Sequence, residues 1–237
     1  MFLPFFDSNP KERITVQAVT VGLIVLNVAM FLVFQGAVVD YPDYRLALIP
    51  VTLFAEQTRP TDLIFVPEEL TLLSYAFLHG SWLHLAGNML FLWVFGDNVE
   101  DAMGHVKFLI FFILCGIAGG LAYAIMTPDP SAPLVGASGA TSGVVAAYLM
   151  LHPKVKVWVL VTLLIKFPFQ LPAWIVLGAY VVWNVIMVLG DTAVSQTAWW
   201  AHIGGLVAGA ALTPLFKHRD VKLFDQDLPA PAAPDER

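Results

Sequence analysis

Apolar residues in this chain fall in long blocks instead of alternating with polar ones. Each spanning helix needs about 20 apolar residues. By that measure the pattern predicts six helical spans, about Ile14–Phe34, Leu72–Phe95, Phe108–Met126, Ala137–Leu151, Ala173–Leu189 and Trp199–Phe216. The fourth is short. Val157–Phe169 is also apolar, but Lys166, Pro168 and Pro172 break the stretch, which reads as an interfacial or re-entrant lead into span five. Between spans one and two, about Gln35 to Leu70, apolar residues mix with Asp40, Asp43, Glu56, Asp62, Glu68 and Glu69, as expected of a long loop resting on a membrane surface. The stretch Leu228–Arg237, rich in Pro and Ala, reads as disordered.

Composition strengthens the membrane reading. The 237 residues are 58% hydrophobic and 13% charged, against roughly 45–50% and 25% in soluble chains. Disorder of the whole chain is excluded, and an all-α polytopic membrane protein is expected. With 12 Lys+Arg against 18 Asp+Glu, net −6, no basic surface is available for nucleic acid. The single cysteine, Cys115, allows no intrachain disulfide and no Cys-based zinc site. Lys11, Arg13, Lys107, Lys154, Lys156, Lys166, Lys217, Arg219, Lys222 and Arg237 fall on one side of the predicted bundle, and only Arg45 and Arg59 on the other. That bias places both termini in the cytoplasm. Lys11-Glu12-Arg13 precedes span one and no A-x-A cleavage site follows, so the span reads as an uncleaved anchor. The expected organisation is a cytoplasmic segment 1–13, a membrane domain 14–216 and a cytoplasmic, disordered tail 217–237.

Polar side chains inside spans are costly unless partnered, so each is a functional candidate. His84 and Asn88 lie in span two, Ser138 in span four and His202 in span six, with His79 near the outer end of span two. At about 1.5 Å rise per residue, Ser138 lies roughly 21–24 Å above the His152-Pro153-Lys154 marker and His202 roughly 22 Å above Lys217. His84 and Asn88 lie roughly 24 and 18 Å above Glu100 on the same rule, if Gly96 does not end that helix early. Four polar groups from three helices are thus expected at one level, some 6–12 Å below the outer edge of a core about 30 Å thick. The rows Gly136, Gly139, Gly143, Ala147 and Ala201, Gly205, Gly209 let the backbones of spans four and six approach closely. Helix packing alone would also explain such rows.

The chemistry that fits is nucleophilic. Ser138 stands in Gly136-Ala137-Ser138-Gly139, at a helix start that Pro128, Pro130 and Pro133 prevent from extending upward. Free N–H groups and the positive dipole end there suit a developing oxyanion. Gly136 is counted with that oxyanion and substrate-stabilising set. His84 and Asn88, at i and i+4, project from one face and can donate to the same oxygen. His202 would take the proton of Ser138 and return it to a leaving amine. No carboxylate is expected at this depth, so the pair would act as a dyad. A metal site from His79, His84 and His202 lacks both an H-E-x-x-H pattern and an intramembrane carboxylate. Neither a metal nor a cofactor is expected.

The runs His79-Gly80-Ser81-Trp82-Leu83-His84-Leu85-Ala86-Gly87-Asn88, Gly136-Ala137-Ser138-Gly139 and Ala201-His202-Ile203-Gly204-Gly205 resemble the bacterial rhomboid intramembrane serine proteases. Gly96-Asp97-Asn98-Val99-Glu100-Asp101 and Gly104 are similar to the family as well, and the likeness runs from about Glu69 to Pro214. The resemblance implies a six-transmembrane-helix bundle of rhomboid type with a long outer first loop, in the inner (plasma) membrane. It implies a serine endopeptidase acting on single-span or polytopic membrane proteins from within the lipid bilayer. Ser138 would be nucleophile, His202 general base, and His84 and Asn88 oxyanion donors. Substrate entry beside span five, with Gly190–Thr197 as a cap, is implied too. The chain departs from the family in two places. Leu70-Thr71 replaces a Trp-Arg pair that many members carry before span two, which leaves the bracing of the long loop open. Ser142 replaces an aromatic ring that some members stack on the catalytic histidine, so His202 is held by a hydrogen bond from Ser142 or by other packing. The competing readings are a catalytically inactive rhomboid-like protein that binds membrane clients, and a small transporter or channel. The last lacks the paired ionisable residues or inverted repeat it would need.

Overall fold

In the computed structural model, residues 2–34, 44–161, 168–190 and 198–224 are described. Six long helices stand out among them. They are α1 (Ala18–Phe34), α2 (Trp82–Met103), α3 (His105–Met126), α4 (Ser138–Leu151), α5 (Ala173–Leu189) and α6 (Trp199–Phe216). By length and composition α3 and α6 suffice to cross a membrane, while α1, α4 and α5 are shorter apolar helices. The fold is mostly helical, with its core where α2, α3 and α4 converge on Phe95, Phe108, Phe111, Phe112, Tyr148 and Leu151, all fully buried.

Two helix starts differ from expectation, each for a local reason. The first helix begins at Ala18, not near Ile14, because the backbone N–H groups of Glu12, Arg13 and Ile14 donate to the Asp101 carboxylate. The second begins at Trp82, not Leu72. Residues 71–77 form a short helix and a 3-10 turn, Leu78 is extended, and Ser81 then caps the helix by accepting from the His84 N–H at 3.1 Å. The helix continues past Gly96 to Met103. Gly96 keeps α1 close, since a Cβ there would lie 3.1 Å from the Thr20 methyl group. Gly104, at φ +79°, separates α2 from α3 in a conformation that favours glycine.

The described ends of the stretch expected to be interfacial or re-entrant form strands of a sheet. Strand β1 (Phe2–Asp7) pairs antiparallel with β2 (Lys156–Val161), and β2 with β3 (Phe169–Pro172). The cause is visible in the sequence. Val155, Val157 and Val159 point into the core while Lys156 and Trp158 point outward, a period-two pattern of β-branched residues. Pro4 has no N–H and sits on the edge strand, next to a register shift. Residues 162–167 lie outside the described residues, as do 35–43 of the long loop, 191–197 of the expected cap, and 225–237. Lys217–Phe224, the start of the stretch expected to be a tail, packs on the bundle. His218 N donates to Ala102 O, Phe224 N to Met150 O, and Val221 is buried.

Candidate active site

The site is built on how α4 starts. After Pro128, Pro130 and Pro133 the chain runs extended, and Leu134 exchanges two backbone hydrogen bonds with Leu48 of the long loop (3.2 and 2.8 Å). Gly136 then donates its N–H to Tyr75 O at 3.0 Å and adopts φ +125°, which favours glycine. A Cβ on Gly136 would also meet the His84 ring, 2.6 Å from Cε1 and 2.7 Å from Nε2. The Ser138 Oγ lies 3.7 Å from that same point. The His84 ring, the glycine backbone and the serine hydroxyl therefore share one small volume at the start of α4.

Helix α6 reaches this place because nothing larger than hydrogen separates it from its neighbours. A Cβ on Gly139 would sit 3.3 Å from Ala201 O, and one on Gly209 would sit 2.4 Å from Gly143 O. Gly119 of α3 is equally close, with Ala201 O at 2.8 Å from its Cβ position and Gly139 Cα at 3.2 Å. Ser138 precedes Gly139 and His202 follows Ala201, so each side chain is anchored one residue from a backbone contact between the helices. No hydrogen bond joins the Ser138 hydroxyl to His202 among the described residues. Ser138, His84 and His202 are all partly exposed.

Asn88 sits one turn below His84 and is buried, 7% exposed. Its Nδ2 has no hydrogen-bond partner among the described residues. A buried amide donor left unpaired is costly and rare, and its position on the His84 face makes it available to an incoming oxygen. His79 is fully buried with its ring 5.2 Å from that of His84, edge to face.

His202 is held in a way that the sequence reading missed. Its Nδ1 lies 2.7 Å from Asn184 Oδ1, and the Trp199 ring stands edge-on at 5.7 Å. Ser142 does not bond the imidazole; its hydroxyl pairs with the Tyr180 hydroxyl at 2.8 Å, and the Tyr180 ring lies 6.4 Å from the imidazole. Asn184 was detectable. It is a fully buried amide inside the apolar span Ala173–Leu189, and the rule that singled out His84 and Asn88 applies to it equally.

Two further clusters support the site from its flanks. Arg59, 7% exposed, forks to Glu68 (2.7 and 3.0 Å) and to the carbonyls of Tyr44 (2.7 Å) and Ala47 (3.0 Å). This braces the loop that presents Leu48 to Leu134, in a chain without the Trp-Arg pair. Partial burial pushes the Glu68 carboxyl up, but the hydrogen bonds from Arg59 and Thr52 outweigh it and hold the group below its ordinary range. At the opposite end of the bundle, Glu100 is fully buried and accepts from Val19 N, Thr20 N and the Thr20 hydroxyl. Asp7 of β1 accepts there from Asn98 and Tyr148, and burial raises its carboxyl to about 6. No group of three or more His, Cys, Asp or Glu is placed to hold a metal ion among the described residues.

Comparison with known proteins identifies the family. The Rhomboid domain family matches residues 67–219. Rhomboid protein 1, mitochondrial, of Saccharomyces cerevisiae is 27% identical over 86% of this chain and 53% of its own length. Rhomboid protease GluP of Bacillus subtilis is 34% identical over 67% of this chain and 28% of its own, and Rhomboid protease AarA of Providencia stuartii 27% over 88% and 76%. The chain thus spans about half of the yeast relative and less of GluP, and its relatives come from bacteria, yeast, plants and fly. With the family match covering the helices that carry His84, Asn88, Ser138 and His202, the chain belongs to the membrane-embedded, multi-pass rhomboid family.

Proposed function

We propose that the protein is an intramembrane serine endopeptidase that hydrolyses peptide bonds in or near the transmembrane segments of other membrane proteins. The observation that carries this reading is the gathering of His84, Gly136 and Ser138 in one partly exposed volume, with the neighbouring helix backbones in contact one residue from His202. Ser138 Oγ attacks the scissile carbonyl while His202 accepts its proton. The oxyanion is held by His84, by the unpaired Asn88 amide and by backbone N–H groups at the start of α4 beside Gly136. His202 returns the proton to the leaving amine, and water then hydrolyses the acyl-enzyme by the same route.

In this reading the six long helices are six spans of a bacterial inner (plasma) membrane protein. The sheet and both termini are cytoplasmic, in line with the Lys and Arg bias. The 14–216 core is the catalytic unit, flanked by residues 1–13 and 217–237. Substrates are single-span or polytopic proteins presented by the lipid bilayer, and the scheme draws on side chains and backbone N–H groups of this chain and on water.

A second reading has a specific observation behind it. Inactive rhomboid protein 1 of Drosophila melanogaster is 38% identical over 36% of this chain, though that covers 6% of its own length. A client-binding protein would need neither Ser138 nor His202. One experiment separates the two. The purified full chain is incubated with a single-span reporter and with a fluorophosphonate probe, beside Ser138→Ala and His202→Asn. Cleavage and labelling by the parent chain alone are the expected result; cleavage surviving Ser138→Ala would end the serine mechanism.

A further inference from the structure

The hydrogen bonds around Asn184 determine more than that it touches His202. Its Nδ2 lies 2.7 Å from the backbone carbonyl of Tyr180, one turn earlier in α5. A carbonyl oxygen only accepts, so the amide nitrogen is the group turned toward it, and Oδ1 is the group turned toward the imidazole. Oδ1 in turn only accepts, so the His202 Nδ1 at 2.7 Å carries the proton. The neutral ring then has one nitrogen with a free lone pair, Nε2. The amide cannot flip without breaking both bonds. It is fully buried, so water is not at hand to replace them.

We propose that Asn184 is the positioning residue for His202: by holding Nδ1–H it fixes the imidazole in the tautomer whose Nε2 is the base. This rests on the protease reading for its consequence in catalysis, although the tautomer itself does not. Asn184 takes no proton. When the imidazolium forms, Nδ1–H stays on the amide oxygen and the new proton sits on Nε2, ready for the leaving amine. A neutral amide orients the ring without pulling its basicity upward as a carboxylate would. The titratable neighbours of His202 are His84 from α2 and Tyr180 from α5. No carboxylate hydrogen-bonds the ring among the described residues.

The test uses the full chain labelled with [15N]histidine, with His202→Asn to assign the signals. In the parent chain the ring nitrogens of His202 should show a protonated δ1 and an unprotonated ε2. Asn184→Leu should lose that single tautomer and lower kcat about 10²-fold, with KM within twofold. Asn184→Asp keeps an acceptor. It should retain the δ1 proton, recover most of kcat, and move the acidic limb of the kcat/KM profile to higher pH, because a carboxylate favours the imidazolium. A merely structural role would leave that limb in place. A proton on ε2 in the parent chain, or an Asn184→Asp profile that coincides with the parent's, would overturn the assignment, and both readings survive a failure of Asn184→Leu to fold. If Ser138→Ala still cleaves, the protease reading falls while the tautomer result stands; if Ser138→Ala is dead and Asn184→Asp changes nothing, the protease reading stands and this one falls.

Discussion

The backbone of Gly205 lies so close to the carbonyl of Gly139 that a β-carbon on Gly205 would stand 1.8 Å from its oxygen. This is the point where α4 and α6 are pressed together, one residue from Ser138 and three from His202. Gly205→Ala therefore cannot be accommodated by a side-chain shift; the two helices must part. We expect a loss of stability of at least about 1–3 kcal/mol and cleavage reduced more than tenfold. Gly178→Ala in α5, where nothing lies within 4 Å of the added Cβ, should leave activity intact and raise stability by up to about 1 kcal/mol. Melting in detergent and a reporter assay on both variants check this. Equal behaviour of the two would show that the glycine contact does not hold the site.

Much of this site was legible in the sequence, for a physical reason. A hydroxyl, an amide or an imidazole in an apolar run is expensive, so His84, Asn88 and Ser138 announce themselves by context, and small-residue rows disclose which backbones meet. What escaped had signals of another kind. The strand Lys156–Val161 is apolar enough to pass for an interfacial segment, and only its period-two alternation separates it from a helix. Arg59 sits in a loop where charge is ordinary, and its burial follows from a turn geometry that no short pattern encodes. Glu100 and Asp101 mark the end of a span by composition, yet both receive backbone N–H groups from residues 80 or more positions earlier.

Asn88 gives a prediction in which stability and activity move apart. Its buried Nδ2 has no hydrogen-bond partner among the described residues, so Asn88→Ala removes a desolvated donor and should cost little stability. If that donor meets the oxyanion, kcat should fall about 10²–10³-fold. Thermal melting together with kcat measures both, and a variant that unfolds while its residual active fraction keeps full kcat would assign Asn88 to packing instead.

Arg59 makes the loop brace testable. Its removal leaves the Tyr44 and Ala47 carbonyls without the guanidinium and Glu68 with the Thr52 hydroxyl alone, at a cost on the order of 1–3 kcal/mol, since Glu68 is only partly buried. Lysine cannot fork to the carboxylate and two carbonyls at once, so Arg59→Lys should recover only part of the loss. Limited proteolysis should cut Arg59→Ala faster than the parent between Tyr44 and Leu70. Identical cutting of parent, Lys and Ala forms would show that the loop is braced elsewhere.

Asp7 predicts a pH dependence with a definite sign. Burial raises its carboxyl from 3.8 to about 6 against the partial opposition of the Tyr148 hydroxyl, so the folded chain favours the protonated form. Its contribution is complete below the unfolded value near 4 and is lost as pH rises through 6, an effect on the order of 1–3 kcal/mol. Asp7→Asn should flatten stability between pH 4 and 7 and raise it above 6. A melting curve that is steeper in Asp7→Asn than in the parent would contradict the assignment.

Glu100 offers the clearest separation of a local clamp from the bundle at large. Its carboxylate is fully buried, with Val19 N and the Thr20 N and hydroxyl on its two oxygens and His105 Nδ1 at 2.5 Å. It does for α1 what an N-cap side chain does, accepting first-turn N–H groups and placing negative charge at the positive end of the helix dipole. Glu100→Gln keeps the volume but turns one acceptor into a donor, so one of the first-turn donors of α1, or His105, must lose its partner. The expected penalty is about 1–3 kcal/mol, felt first as faster hydrogen exchange at residues 19–22 and only weakly at the amides of α4 and α6. The amides of Glu12, Arg13 and Ile14, which Asp101 holds independently, should keep their protection. Glu12→Gln, at an exposed carboxylate, should change nothing. If exchange in Glu100→Gln rises evenly across the bundle, the carboxylate supports the core as a whole; if it rises only at the start of α1, Glu100 is the cap that holds the first turn of that helix, after Asp101 has ended the segment before it.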